Sequence, residues 1–154
     1  MIEKLIDLLK EKGMRISTAE SCTGGMLSAL ITSVSGASDV FSYGFVTYSN
    51  EAKIKLLGVN GEILRMYGAV SEQTALAMCR GARSASGSDI AVAITGIAGP
   101  NSDNTNKPVG LVYIGVSTKN EDVCKKYLFS GSRGEIRAQS VNAAVEMCIF
   151  STTA

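Results

Sequence analysis

Residues 18–25 read TAESCTGG, which gathers the carboxyl of Glu20, the hydroxyls of Ser21 and Thr23, the thiol of Cys22 and the pair Gly24, Gly25 between two apolar stretches. The chain has no histidine. Ser-His-Asp and Cys-His schemes are therefore ruled out, and a nucleophilic hydroxyl must find another base. A lysine can serve when burial or nearby positive charge lowers its pKa enough for the neutral amine to exist near pH 7, and a tyrosine hydroxyl can relay or orient the proton. Ser21, Lys53 and Tyr48 could fill those roles. The TGG after Cys22 would open a helix whose first N–H groups can hold an oxyanion or a phosphate, with glycine letting a ligand approach closely.

Each of these residues also has an ordinary structural reading. A serine or threonine where a strand meets a helix commonly caps the helix. Lys53 can be a solvated helix lysine, and Tyr48 a core tyrosine with its hydroxyl at the rim. Cys22 could be activated by a helix N-terminus, but a free cysteine ordinarily behaves as a small apolar residue. Glu20, Arg133 and Arg137 can be surface or capping groups rather than ligand contacts, and Thr95 can cap the loop that follows it.

The elements that must position these groups follow from the hydrophobic pattern. Ile2, Leu5, Ile6, Leu8 and Leu9 recur at helical spacing, with Gly13 as a C-terminal cap. MRIST (14–18) predicts a strand leading into the polar motif, GGMLSALITSV a mostly buried helix behind it, and FSYGFVTYS (41–49) a second strand. Asn50 is expected to cap a helix ending at Gly58, residues 59–70 have room for another helical turn, and a further helix starts at Ser71. DIAVAIT (89–95) is a continuous apolar run, suited to a strand covered on both faces. It leads into GIAGPNSDNTNKP, a polar loop of a length that is usually functional or mobile. Strands at 109–118 and 122–130 are joined by KNE and must form an antiparallel hairpin, and Ser132 is expected to cap a last helix over 134–150.

This order implies a single α/β domain over residues 1–154, three-layered α/β/α, with a mixed, mostly parallel five-stranded sheet. In such sheets ligands bind beyond the C-terminal ends of the parallel strands. Strands ending at Ser21, Tyr48 and Thr95 would set those hydroxyls along one edge, with Lys53 on the helix that leaves it.

The chain is 45% hydrophobic and 19% charged, with 15 basic against 14 acidic residues and a net charge of +1. That is the make-up of an ordinary globular domain, and it implies no polyanionic partner such as nucleic acid, although one or two arginines can bind a single phosphate. The cysteines, Cys22, Cys79, Cys124 and Cys148, form no CxxC pair, so zinc is not expected. No apolar run reaches the ~20 residues needed to cross a bilayer, and no signal-peptide pattern is seen, so the chain reads as cytoplasmic with reduced thiols.

Taken in order, TAESCTGG, GFVTYSNEAKIKLLGV, GAVSEQTA, AITGIAGP, KPVGLVYIGV and FSGSRGEIR resemble the CinA C-terminal domain family, the PncC-type nicotinamide mononucleotide amidohydrolases. The resemblance spans essentially residues 1–150. It implies hydrolysis of the carboxamide of nicotinamide mononucleotide to nicotinic acid mononucleotide and ammonia, in pyridine-nucleotide recycling, without metal or cofactor. It implies Ser21 as nucleophile, Lys53 as general base and Tyr48 as the hydroxyl that assists them. Around the nucleophile it places Glu20, Thr23, Gly24 and Gly25 near the substrate. Thr95 and the GIAGP turn, including Gly96 and Gly99, match pocket positions, and Arg133 or Arg137 would meet the phosphate. A homo-oligomer, most simply a dimer, is implied as well. The chain departs from the family pattern in three places. GPNSDNTNKP lacks the glycine-rich run usual after GIAGP, Tyr67 stands where many relatives have histidine, and the 154 residues include no counterpart of the N-terminal molybdopterin-type domain of full-length CinA proteins. A non-catalytic nucleotide-binding or regulatory protein of the competence/damage-inducible type is thus the alternative expectation, and a purely structural oligomer subunit a third.

Overall fold

The structure, a computed structural model, describes residues 1–153. Its elements are α1 (Ile2–Lys12), β1 (Ile16–Glu20), α2 (Met26–Thr32), a 3-10 turn (Ala37–Asp39), β2 (Phe41–Val46), α3 (Asn50–Leu57), α4 (Gly61–Tyr67), α5 (Glu72–Ser86), β3 (Ile90–Gly96), β4 (Leu111–Thr118), β5 (Asp122–Leu128) and α6 (Arg133–Thr153). The strands form one sheet in the order β2-β1-β3-β4-β5. β1 pairs parallel with β2 and β3, whereas β3/β4 and β4/β5 are antiparallel, so β5 points the same way as the first three and only β4 runs against them. Helices α1, α2 and α6 cover one face, and α3, α4 and α5 cover the other. The expected three-layer α/β/α domain with its mixed sheet is what the chain builds.

The central strand explains why the two faces differ in thickness. In β3, Ile90, Val92 and Ile94 point into the core shared with α1, α2 and α6, while Ala91 and Ala93 face α5. Each fully buried Ile or Val contributes roughly 1.5–3 kcal/mol. The alanines serve a different end, by letting α5 lie close to the sheet. At the same layer a Cβ on Gly115 would stand 3.0 Å from the Ala75 carbonyl oxygen, and a Cβ on Gly81 would stand 1.9 Å from that of Leu57. Helix α5 therefore sits against β4 and α3 with no room for added side chains.

Boundaries differ from the pattern-based expectation in ways that move the candidate site. Strand β1 runs on through Thr18, Ala19 and Glu20, so the first three residues of the TAESCTGG motif are strand. Gly24 and Gly25 have φ values of 55° and 109°, and both belong to a turn rather than to the helix, which starts at Met26. Strand β2 stops at Val46 rather than reaching Tyr48. Ser49, not Asn50, caps α3, its hydroxyl accepting from the Ala52 N–H at 3.0 Å. Residues 59–70 hold the helix α4, capped by the Asn60 side chain. Helix α6 opens with the expected Ser132 in a reciprocal capping box: the Glu135 N–H donates to Ser132 Oγ at 3.2 Å, and the Ser132 N–H donates to Glu135 Oε1 at 2.9 Å. Among the described residues no helix is long and apolar enough to cross a membrane.

Candidate active site

The parallel register puts the C-terminal ends of β1, β2 and β3 side by side, Glu20 being paired with Val46 on one flank and Ile94 on the other. Ser21 follows directly, and its N–H donates to the Ile94 carbonyl at 2.9 Å, which keeps the residue in line with the sheet. A turn then closes, the Gly24 N–H donating to the Ser21 carbonyl at 3.1 Å.

Lys53 reaches this point from α3. It is only 1% exposed, and its Nζ stands 3.0 Å from Ser21 Oγ and 2.7 Å from the Thr47 carbonyl oxygen. No carboxylate pairs with it among the described residues. Burial without a counter-ion penalises the ammonium and pushes the Lys53 pKa down to about 8, against a smaller upward pull from Cys22. The arrangement is thus a hydroxyl in hydrogen-bond contact with an amine that is part-neutral at ordinary pH. Cys22, beside it, behaves as an apolar thiol: burial raises its pKa to about 11, despite the nearby Arg137 guanidinium.

Ser21 and Lys53 line a cavity of about 240 Å3, and Tyr48, Thr95, Gly96, Gly99 and Arg133 share its wall. Seven of the expected site residues are thus brought together. The other five, Glu20, Thr23, Gly24, Gly25 and Arg137, lie behind the wall and build the loop that carries Ser21. Glu20 is fully buried; its Oε1 accepts from Thr23 Oγ1 (2.7 Å) and the Leu27 N–H (2.8 Å), and its Oε2 from the Ser28 N–H (3.0 Å) and Ser28 Oγ (2.7 Å). A carboxylate at a helix N-terminus satisfies orphan donors and meets the positive end of the dipole. The consequence corrects an expectation: with Gly24 bonded to Ser21, Met26 to Thr23, and Leu27 and Ser28 to Glu20, these N–H groups at the start of α2 are already satisfied. Arg137 braces the same loop, donating to the carbonyls of Cys22 and Thr23 at 3.0 Å each.

Arg133, one turn earlier on α6, faces the cavity and donates to the Gly99 carbonyl at 2.7 Å and to the Tyr48 hydroxyl at 3.1 Å. Tyr48 differs from the expectation in its contacts. Because β2 ends at Val46, the backbone has left the sheet by residue 48, and the ring stands at the cavity rim, 63% exposed, with its hydroxyl on Arg133 rather than on Ser21 or Lys53.

The chain matches the family model "CinA C-terminal domain" over residues 1–151. It belongs to that family. A relative from Caldicellulosiruptor bescii, whose name marks it as competence-damage inducible, is 52% identical over 145 residues, covering 94% of this chain and 35% of its own length. The CinA-like protein of Kosmotoga olearia is 46% identical, again with 94% of this chain and 35% of the relative covered. This chain thus spans about a third of the length of the curated relatives it matches. The crystal structure of a competence/damage-inducible protein from Agrobacterium tumefaciens superposes with a TM-score of 0.95 at 41% identity, covering 99% of this chain and 93% of that one. A CinA superfamily protein from Klebsiella pneumoniae gives 0.96 at 32%, covering 99% and 95%.

The structure of this CinA domain also reveals participants that its pattern did not announce. Thr47 supplies a carbonyl to Lys53, a backbone role with no sequence signal. Its own Oγ1 is fully buried and has no hydrogen-bond partner among the described residues. Removing an unpaired buried hydroxyl at constant shape relieves a desolvation cost. Thr47→Val is therefore expected to raise unfolding stability by about 1 kcal/mol in urea titrations, and a loss of that size would show that the hydroxyl is satisfied.

Segment 67–70 is the other surprise. Its four carbonyls are all held by side chains: Lys107 Nζ donates to Tyr67 (2.6 Å) and Val70 (2.7 Å), Ser71 and Thr74 hydroxyls to Gly68 (3.0 and 2.7 Å), and the Thr95 hydroxyl to Ala69 (2.7 Å). Ala69 and Val70 form one wall of the cavity. Lys107 belongs to the KPVG stretch, and its spacing carried no hint of this grip.

Proposed function

We propose that this CinA domain is an amidohydrolase that deamidates nicotinamide mononucleotide, with Ser21 as nucleophile and Lys53 as base. The observation that carries the reading is the 3.0 Å contact between Ser21 Oγ and an amine buried without a counter-ion. A lysine in water is protonated at pH 7 and useless as a base; one with a pKa near 8 is neutral in about a tenth of molecules at that pH.

In the proposed sequence neutral Lys53 takes the Ser21 proton, and Ser21 Oγ attacks the carboxamide carbon. The new ammonium keeps its hydrogen bond to the Thr47 carbonyl. The oxyanion needs donors other than Gly24. The Cys22 N–H, next to Ser21 on the cavity wall and without a hydrogen-bond partner among the described residues, would serve it. Collapse of the tetrahedral intermediate breaks the C–N bond, with the proton passing from Lys53 to the departing nitrogen, and ammonia leaves. Water, deprotonated by Lys53, then attacks the acyl-serine and releases the carboxylate and the free hydroxyl. Arg133 would meet the phosphate, since it lines the cavity, while Arg137 spends its Nε and Nη2 on the carbonyls of Cys22 and Thr23. Tyr48 acts from the rim through Arg133.

A specific observation favours a second reading. The names of the relatives speak of competence and damage induction and of no reaction, which suits a non-catalytic nucleotide-binding or regulatory domain. An ammonia-release assay with nicotinamide mononucleotide separates the two: turnover supports the amidase, whereas stabilisation by the mononucleotide without turnover supports the binding protein.

The same assay has a pH signature. Only the deprotonated Lys53 is active, so kcat/KM is expected to rise about tenfold per pH unit below pH 8 and to level off above it. A profile flat from pH 6 to about 9 would remove Lys53 from the role of base.

A further inference from the structure

The outer part of the cleft carries two side chains of opposite charge. Arg133 stands on one side, and Asp103, on the loop between β3 and β4, lines the same cavity. No ion pair joins them among the described residues. The Asp103 carboxyl is held from behind: its Oδ1 accepts from the Thr105 N–H at 3.1 Å and from the Thr105 hydroxyl. The Thr105 hydroxyl oxygen accepts in turn from the Lys107 N–H at 3.1 Å, and the Lys107 ammonium is fixed on the Tyr67 and Val70 carbonyls. The second carboxyl oxygen, Oδ2, has no partner among the described residues. A negative charge is thereby built into the rim of a cleft whose arginine suits an anion.

On its own that placement opposes an anionic ligand, and neutral hydrogen bonding at the rim is already available from Asn101 and Ser102, which line the same cavity. A carboxylate adds what those side chains lack, attraction for positive charge. A ligand with an anionic end for Arg133 and a cationic ring beside its amide uses both groups. N-ribosylated nicotinamide has that form, because its ring nitrogen is quaternary and permanently charged.

We propose that Asp103 is a specificity-determining residue of this cleft, favouring amides borne on a positively charged ring over the same amides on a neutral one. The proposal rests on the amidase reading of the site and deepens it. Because Asp103 is exposed, solvent screening keeps the preference modest, about three- to fivefold.

Asp103→Asn isolates the charge, since the amide oxygen can still accept from Thr105. Binding is measured calorimetrically in the full chain carrying Ser21→Ala to stop turnover, with and without Asp103→Asn. The two probes are nicotinamide mononucleotide and its dihydro form, which has the same skeleton and a neutral ring. Asp103→Asn is expected to weaken the oxidised ligand about three- to fivefold and to leave the dihydro ligand unchanged, and the difference should close in about 0.5 M salt. An equal loss on both ligands, or no loss on either, overturns the proposal and leaves the amidase reading standing. A protein that binds neither ligand and, with Ser21 intact, releases no ammonia overturns the amidase reading and this proposal with it.

Discussion

Ser21→Ala should abolish ammonia release, lowering kcat by about 10⁴-fold or more while leaving the affinity for nicotinamide mononucleotide nearly unchanged. The size of the effect follows from the position of the hydroxyl. Among the described residues it is the one hydroxyl in hydrogen-bond contact with Lys53, and the neighbouring thiol of Cys22 cannot replace it, because burial holds that group protonated with a pKa of about 11. Stability should move by about 1 kcal/mol or less, since Lys53 keeps the Thr47 carbonyl as an acceptor. Stopped turnover combined with intact calorimetric binding is the expected pair of results. A variant that keeps even a tenth of the parent rate would show that the chemistry runs elsewhere.

Lys53→Met should have two large effects of opposite sign. Turnover should fall about 10³-fold or more, as a general base is lost from a nucleophile that cannot ionise unaided. Stability should rise. Lys53 has a pKa of about 8 in the folded chain against the ordinary value of 10.5, so the unfolded chain holds the proton more tightly. Below pH 8 the folded state carries the full cost of a buried ammonium; the cost fades as pH rises from 8 to 10.5 and is gone above it. Methionine of similar length removes that cost and leaves the Thr47 carbonyl unpaired, a penalty of about 1 kcal/mol. The net gain at pH 7 is expected to be about 1–2 kcal/mol, shrinking above pH 8. Urea unfolding of both proteins at pH 7 and pH 10 measures it. A variant less stable than the parent at pH 7 would mean that the ammonium is compensated where it lies.

The meeting of Ser21 with Lys53 was legible because it depends on topology: parallel strands deliver their last residues to one edge, and a helix leaving that edge brings its first turn along. Tyr48 was misplaced by the same logic, since the aromatic, β-branched run continues to residue 49 while the paired strand stops at Val46. The family resemblance sets Glu20 near the substrate, whereas its residue type alone allows the capping role it takes. Only the backbone path shows that the helix behind it turns its N–H groups onto that carboxylate. Arg133 and Arg137 lie one turn apart on a common helix face, and one-dimensional spacing cannot tell which side chain passes under the loop and which clears it. Thr47 and the carbonyls of 67–70 act through the main chain, where residue identity carries almost no signal.

The unequal faces of β3 give this domain a lopsided tolerance for change during drift or engineering. On the Ile90, Val92, Ile94 side, bulk can be traded among neighbours at nearly constant volume. On the Ala91, Ala93 side there is no such freedom: any added methyl must be absorbed by moving α5, whose capping residue Ser71 is joined directly to the gripped carbonyls at the cleft wall. Substitutions far from Ser21 on that thin side should therefore register as altered ligand affinity before they register as unfolding.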